Sequence, residues 1–330
     1  MSSDAPGWSA IDAHLATLYP DVTPQHFGTV IGYRLGGPDP LDGLSFYPRT
    51  DPVPHWHAVT YGLSELYDKE APDPEVSGWG FELTFRVARD AGDTEAPMWA
   101  ATLLQNLARY VFSSGNVLRP GDHMDANSPL NLDHGTTALT ALAFLEDPEL
   151  DAVTTPNGTV RFVQAVGLTA DELAAARGWD TAGVLGLLAE RDPLLVTDLD
   201  RASITADPAV RAAIDAGTER DGSSTGQLLI TGLEVTVSGT DVRLRIPEQH
   251  ADAVAQAARD RFPYARPLVL TTRTGGVRLA GGPAYAARQV AGGVEVDLTM
   301  PAILALTQPL AAGVHEIPGT GTLTVEIAPE

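Results

Sequence analysis

The sequence predicts an α+β protein of two mixed α/β domains, each a mainly antiparallel or mixed sheet with packed helices, joined by a short linker. Three observations predict it. Runs that alternate with period two, such as Gly80 to Val87, stand among runs with helical spacing, such as Met98 to Phe112. At 330 residues the chain exceeds the usual size of one domain. The acidity also stops abruptly. Residues 1–227 hold 13 basic and 33 acidic side chains, a net of −20, whereas residues 228–330 hold 8 and 10, a net of −2. The polar, glycine-rich stretch Ala216 to Gln227 lies at that break and reads as the linker, so the domains are expected at 1–220 and 228–330.

In order, Ala10 to Leu18 reads as a short amphipathic helix, with Ile11, Leu15 and Leu18 on one face, ended by Tyr19-Pro20. Thr29 to Leu35 is expected as a strand, and Phe46 to Thr50, with its proline-rich flanks, as a loop. Trp56 to Leu63 and Gly80 to Val87 are strands; in the second, Phe81, Leu83, Phe85 and Val87 alternate with Glu82, Thr84 and Arg86. Trp99, Leu103, Leu107, Tyr110 and Val111 recur at helical spacing after Pro97. Thr136 to Leu142 and Gly158 to Val166 are strands, and Thr169 with Glu172 has capping-box spacing at the head of a helix. A helix over Thr181 to Glu190 and a strand over Leu194 to Asp198 follow. Beyond the linker, strands are expected at 228–237, 241–246, 268–272, 276–280, 293–298 and 322–327, with a helix from Pro247 to Phe262. Gly275-Gly276 and Gly281-Gly282 are hairpin signals.

Composition narrows the function. No run of 18 apolar residues exists, the N-terminus lacks the basic and apolar regions of a secretory signal, and the expected location is the cytoplasm. Without cysteine there are no disulfides, thiolate ligands or thiol nucleophiles. A net charge of −22 repels phosphate backbones, so no nucleic acid is expected as a partner and no membrane, whereas a basic protein would be attracted. The same acidity also serves solubility.

Catalytic types cluster between His55 and Asp122. His55 and His57, two apart on a strand, share a face and suit two metal ligands, with Asp122 or His123 as a third. A metal-dependent hydrolase using His55, His57 and Asp122 is the enzymatic alternative. Against it, an H-x-H pair is common by chance, and one buried, hydrogen-bonded histidine beside an oppositely facing Trp56 explains it without a metal. Glu82 is expected as a solvent-facing carboxylate. No G-x-S-x-G elbow or P-loop occurs, and no serine has a base, so no enzyme and no cofactor are expected. Tyr110, at a helix end, either packs in the core or presents its hydroxyl to a loop. Asp122 either folds back toward that hydroxyl or faces a ligand.

Ordered words extend beyond these residues: W-H-A-V-T-Y-G-L-S-E-L-Y (56–67), G-W-G-F-E-L-T-F-R (78–86), L-L-Q-N-L-A-R-Y-V-F-S-S (103–114), G-D-H (121–123), L-E-D-P-E-L (145–150), T-P-N-G-T-V-R-F-V-Q-A-V-G-L-T-A-D-E-L (155–173), V-T-D-L-D-R (196–201) and T-E-R-D-G-S-S (218–224). Together they resemble the suppressor of fused family over about residues 45–224. The C-terminal hundred residues resemble it faintly, through E-V-D-L-T-M (295–300). The resemblance implies a non-enzymatic protein- or peptide-binding protein. Animal members bind Gli-type zinc-finger transcription factors through a peptide added as a β-strand between the two domains. Its implied contact residues fall on Tyr110, Asp122 and Glu146, on the first-domain wall of such a cleft. The long disordered insertion of animal members is missing, and the preference for arginine over lysine, with Lys69 the only lysine, points to a high-GC bacterium. Bacterial members are regarded as immunity proteins of polymorphic toxin systems. That implies a toxin as partner, with a regulatory adaptor for an endogenous protein as the alternative.

Overall fold

A computed structural model describes residues 5–33, 36–90, 92–132, 137–272 and 275–329. Its chain contacts divide into two compact units, Met1–Ala174 with Thr181–Val210, and Ala175–Asp180 with Arg211–Glu330.

The first unit holds α1 (Pro6–Leu18), β1 (Gln25–Gly28), β2 (Gly43–Arg49), β3 (His55–Tyr61), β4 (Val76–Ala88), α2 (Met98–Ser114), β5 (His123–Asp125), β6 (Leu139–Glu146), β7 (Val153–Thr155), β8 (Gly158–Thr169), most of α3 (Ala170–Gly178) and α4 (Thr181–Ala189). Its sheet runs β1-β2-β3-β4-β8-β6-β5, with β7 hairpinned onto β8, and only β4 and β8 pair in parallel. Alternation divides the side chains between two layers. Leu44, Phe46, Trp56, Ala58, Phe81, Leu83, Phe85, Val163 and Ala165 pack toward α2 through Ala100, Leu104, Leu107, Ala108 and Val111. Tyr47, Val59, Tyr61 and Phe162 pack on the opposite face with Ile11, Leu15 and Tyr19 at α1. The sheet is thus covered on both faces.

That cover overturns the expectation for Glu82. It faces away from the apolar alternation of β4, as read, yet it is fully buried beneath the second layer. Its carboxylate accepts from Thr60 Oγ1 (2.6 Å), Ser64 Oγ (2.6 Å), Gly62 N (2.9 Å) and Ser64 N (2.9 Å). Burial pushes its pKa up while the Ser64 and Thr60 donors pull the other way. It ties the 62–64 turn to the strand beside it.

Phe46 to Arg49 is strand, not loop. Pro48 pairs opposite Trp56, but β1 reaches only as far as Phe46, so no ladder bond on that side needs the missing N–H. The strand expected from Thr29 lies earlier, at β1; Val30 is 99% exposed and has no layer to pack on, while Arg34 and Leu35 fall outside the described residues. Thr136 falls outside them too, and the strand expected there runs from Leu139. The expected Leu194 to Asp198 strand reduces to one bridge, Thr197 to Val87.

In the second unit, α5 (Pro208–Asp221) runs through the stretch expected as a linker. The cause is tertiary: its Asp221 accepts from Trp179 Nε1 at 3.0 Å, and a side chain at Gly217 would collide with the Trp179 ring. Beyond the helix Ser223, 2% exposed, donates its N–H to Asp260 O at 2.8 Å, while its own carbonyl accepts from Arg261 Nη1 at 2.6 Å. The polar residues are polar because they hydrogen-bond locally.

The strand expected over 228–237 is cut by a turn at Gly232 (φ 82°) into β9 (Gln227–Leu229) and β10 (Glu234–Ser238), which join different sheets. Then come β11 (Asp241–Pro247), α6 (Glu248–Arg261), β12 (Leu268–Thr271), β13 (Gly276–Gly281), β14 (Ala286–Val290), β15 (Gly293–Leu298), α7 (Met300–Leu306), β16 (Gly313–Glu316) and β17 (Leu323–Ala328). The sheets run β10-β11-β17-β16 and β14-β15-β13-β12-β9, and one core that includes Val254, Ala258 and Phe262 at the α6 end serves both. Gly275 lies in the β12–β13 hairpin as expected, whereas Gly281-Gly282 does not close one: β13 pairs β15 in parallel, and the hairpin turns at Gly292 instead.

Glu82→Ala leaves three N–H groups and two hydroxyls of the 60–64 region without their acceptor. It should lower unfolding free energy in urea by about 3 kcal/mol or more, with Glu82→Gln between it and the parent chain.

Candidate functional site

Two groups of polar residues stand out, one inside the first unit and one on its surface. The buried group centres on Asp147. Its Oδ2 accepts from His57 Nε2 (3.1 Å), Thr84 Oγ1 (2.7 Å) and Arg86 Nη1 (2.8 Å), and its Oδ1 accepts from Arg86 Nη2 (3.0 Å) and from the backbone N–H groups of Glu149 (2.9 Å) and Leu150 (3.1 Å). Arg86 also donates to Gln164 and to Glu149 Oε2 (3.0 Å), and Glu149 takes a bidentate contact from Arg49 at 2.7 and 2.8 Å. The strands β2, β3, β4 and β8 each supply a member.

Asp147 can only accept, so His57 carries its proton on Nε2 and Nδ1 accepts from the Tyr19 hydroxyl at 2.6 Å. Burial first, then the Arg86 guanidinium, pushes His57 down to about 4 against the pull of Asp147. Burial alone would raise the Asp147 carboxyl; the His57 imidazole and Arg86 reverse this and hold it far below the carboxylate range. Burial likewise raises Tyr19. The hydroxyl–imidazole–carboxylate order has the form of a nucleophile–base–orienter chain. Yet His57 and Asp147 side chains have no exposure and Tyr19 has 5%, so no substrate reaches the hydroxyl. The chain fastens the end of α1 to the sheet.

The metal alternative is corrected by this geometry. Both ring nitrogens of His57 are engaged, and His55 Nδ1 bonds Val53 O at 2.7 Å. Asp122 precedes β5, four strand steps from β3 across β4, β8 and β6, which is roughly 19 Å at the ordinary strand spacing. Among the described residues no three His, Asp or Glu side chains are placed to hold a metal ion.

The surface group is the set read from the sequence. Tyr110 lies near the end of α2, half-buried against the core, and its hydroxyl accepts from Asn116 Nδ2 at 2.9 Å, leaving its own proton to donate outward. Both open possibilities for Tyr110 are realised, ring in the core and hydroxyl toward a loop. That loop ends at Asp122, which is exposed and holds its own turn by accepting Arg119 N–H at 2.8 Å rather than folding back on Tyr110. The turn lies along β6, where Phe144 N donates to Asp122 O at 3.0 Å. Glu146, two residues farther on the same strand, is exposed and touches Arg161 Nη1 at 3.2 Å. Asp122 thus lies beside Phe144, two residues before Glu146 on the same strand, and Tyr110 is tied at Asn116 to the loop that leads to Asp122. Sequence reasoning missed Asp147 and Glu149. Both stand in the L-E-D-P-E-L word that singled out Glu146, and charged residues inside so polar a word give no signal of burial.

A family model described as suppressor of fused protein (SUFU) matches residues 37–202, half of the chain. The chain belongs to the suppressor of fused family. Suppressor of fused homologues of Mus musculus and Homo sapiens are each 37% identical over 264 residues, covering 75% of this chain and 53% of theirs, so it spans about half the length of the curated relatives it matches. The crystal structure of Drosophila Suppressor of Fused shares the fold, with a TM-score of 0.82 over 99% of this chain and 98% of that one at 24% identity. A chain from the Sufu-Fu complex crystal structure matches at a TM-score of 0.61 and 35% identity, over 64% of this chain and 98% of that one. No described helix is long and apolar enough to cross a membrane. The suppressor of fused words map onto both groups: Tyr110, Asp122 and Glu146 outside, His57, Arg86 and Asp147 inside.

The buried histidine sets a pH dependence. With His57 at about 4 when folded and near 6.5 when unfolded, the unfolded chain binds the extra proton between those values. Stability should therefore fall as pH falls from about 6.5 to about 4. The lowered Asp147 carries the loss further, below the ordinary carboxylate range. Urea unfolding across that window should show the slope, and His57→Gln, which keeps a donor for Asp147, should make it shallower.

Proposed function

We propose that this suppressor of fused protein is a non-enzymatic protein- or peptide-binding protein, and that it serves as a bacterial immunity protein neutralising a basic toxin. The observation that carries the reading is a pair of exposed carboxylates, Asp122 and Glu146, near one strand end, with the half-buried Tyr110 holding the loop that leads to Asp122 through its hydroxyl. Such a surface accepts hydrogen bonds and negative-to-positive contacts, as suits a cationic, donor-rich partner. The net −20 of residues 1–227 extends the attraction beyond contact range and would speed encounter. An extended partner segment added as a β-strand is the mode that the family resemblance suggests.

A regulatory adaptor for an endogenous protein is the second reading, favoured by the similar chain found in the Sufu-Fu complex crystal structure. Capture of partners from the native host by the immobilised protein, with identification by mass spectrometry, separates the two. A secreted-toxin domain encoded beside this gene supports immunity, and an unlinked housekeeping protein supports the adaptor.

Affinity for the captured partner then tests the surface. Asp122→Asn keeps an acceptor for Arg119 N–H while removing the charge, and Tyr110→Phe keeps the ring while removing the proton. Each should weaken binding, Asp122→Asn by about tenfold, without moving the melting temperature. Unchanged affinity in both variants, measured by calorimetry, would sink the assignment.

A further inference from the structure

Glu146 on this surface is already paired with a cation of the chain itself, Arg161. It sits on β8 two residues before Val163, which pairs with Glu146 across the β6–β8 ladder, so Arg161 reaches Glu146 along the strand diagonal. The contact is a single 3.2 Å approach to Oε1, with the two side chains 45% and 54% exposed. The buried Arg86 is held quite differently. Arg86 has no exposure and grips Asp147 through both terminal nitrogens at 2.8 and 3.0 Å. An open, one-point pair is worth little and exchanges readily, because water screens both charges and each long side chain gives up rotamer freedom to hold it.

We propose that Arg161 is an intramolecular competitor at the binding surface: it occupies Glu146 in the free protein and yields it to a cationic side chain of the partner. This rests on the reading of Tyr110, Asp122 and Glu146 as a binding surface. A partner guanidinium or ammonium meets two charges there. Glu146 attracts it, and Arg161, until it swings out, repels it and blocks the carboxylate. The residue therefore lowers affinity for cations at this spot and sets a threshold that favours partners with a second contact, at Asp122 or Tyr110. The acidic remainder of the first domain attracts cations everywhere, so a local filter decides where a basic segment settles.

The test uses the full chain and a defined probe, the capped peptide Gly-Arg-Gly-Arg-Gly, with Gly-Glu-Gly-Glu-Gly as control. Binding is followed by amide chemical shifts around Asp122 and Glu146 at low ionic strength. Arg161→Gln should tighten the arginine peptide at these amides by about two- to fivefold, and Glu146→Gln should weaken it. The double variant should bind like Glu146→Gln alone, since nothing remains to compete for. A gain from Arg161→Gln that persists undiminished in the Glu146→Gln background would reduce it to a general change in net charge and overturn the proposal. If Glu146→Gln and Asp122→Asn weaken binding while Arg161→Gln leaves it unchanged or weakens it, the surface stands and the competitor falls. If neither carboxylate variant matters, the surface reading fails and the competitor falls with it.

Discussion

The buried Asp147 carboxylate is the interaction on which the first unit depends. Six donors converge on it, from β3, β4 and the turn after β6, and through Arg86 and Glu149 the same network takes in Gln164 of β8 and Arg49 of β2. An isolated charge so deep would be prohibitive, and a well-packed apolar cluster of equal volume could be as stable. What the network adds is register. A one-residue slip of any strand carries its donor to the other face of the sheet and leaves a buried charge unsatisfied. The cost of error is concentrated at the centre of a sheet whose apolar residues alone tolerate more ambiguity.

That constraint explains why scaffold and candidate binding residues share one short word. Along L-E-D-P-E-L, Glu146 is exposed, Asp147 is buried and Glu149 is half-buried between Arg49 and Arg86. The inner carboxylate fixes the end of β6 through the Glu149 and Leu150 amides, and the outer carboxylate inherits a rigid base. Asp122 is positioned by the same strand through Phe144. The exposed acidic pair is thus preorganised by a buried one, which would limit the entropy lost if a partner docks there as proposed.

Much of this was legible from alternation and capping. The strands around Trp56, Phe81 and Phe162, the α2 and α6 helices, and the Thr169–Glu172 box, realised as Thr169 N donating to Glu172 at 2.9 Å, follow from local pattern. What escaped depends on layers. Glu82 and Arg86 look like a solvated face until a second layer covers them, and period-two alternation is silent about how many faces are buried. The α5 helix escaped because its polar C-terminal half is held by Trp179, more than thirty residues earlier. On α2 the buried stripe includes Ala100 and Ala108 and turns Trp99 and Leu103 to the margin, because small residues let a helix lie close to a sheet. Of the site, Tyr110, Asp122 and Glu146 came from ordered words, since no local chemistry marks an exposed carboxylate as special.

The contrast between the two arginine–carboxylate pairs shows how one chain separates stability from exchange. Arg86 and Asp147 meet in two contacts inside a dry layer, where removing either partner strands a charge, so no ligand can compete for them without opening the sheet. Arg161 and Glu146 meet once, at 3.2 Å, with both side chains exposed to solvent. A cation that takes Glu146 from Arg161 replaces one solvated pair by another and leaves Arg161 free in water, so the net energy of exchange is small and its direction is set by what else the partner touches. On the proposed reading, neighbouring contacts at Asp122 and Tyr110 would then decide binding, and the charge on Glu146 would select which kind of side chain is admitted.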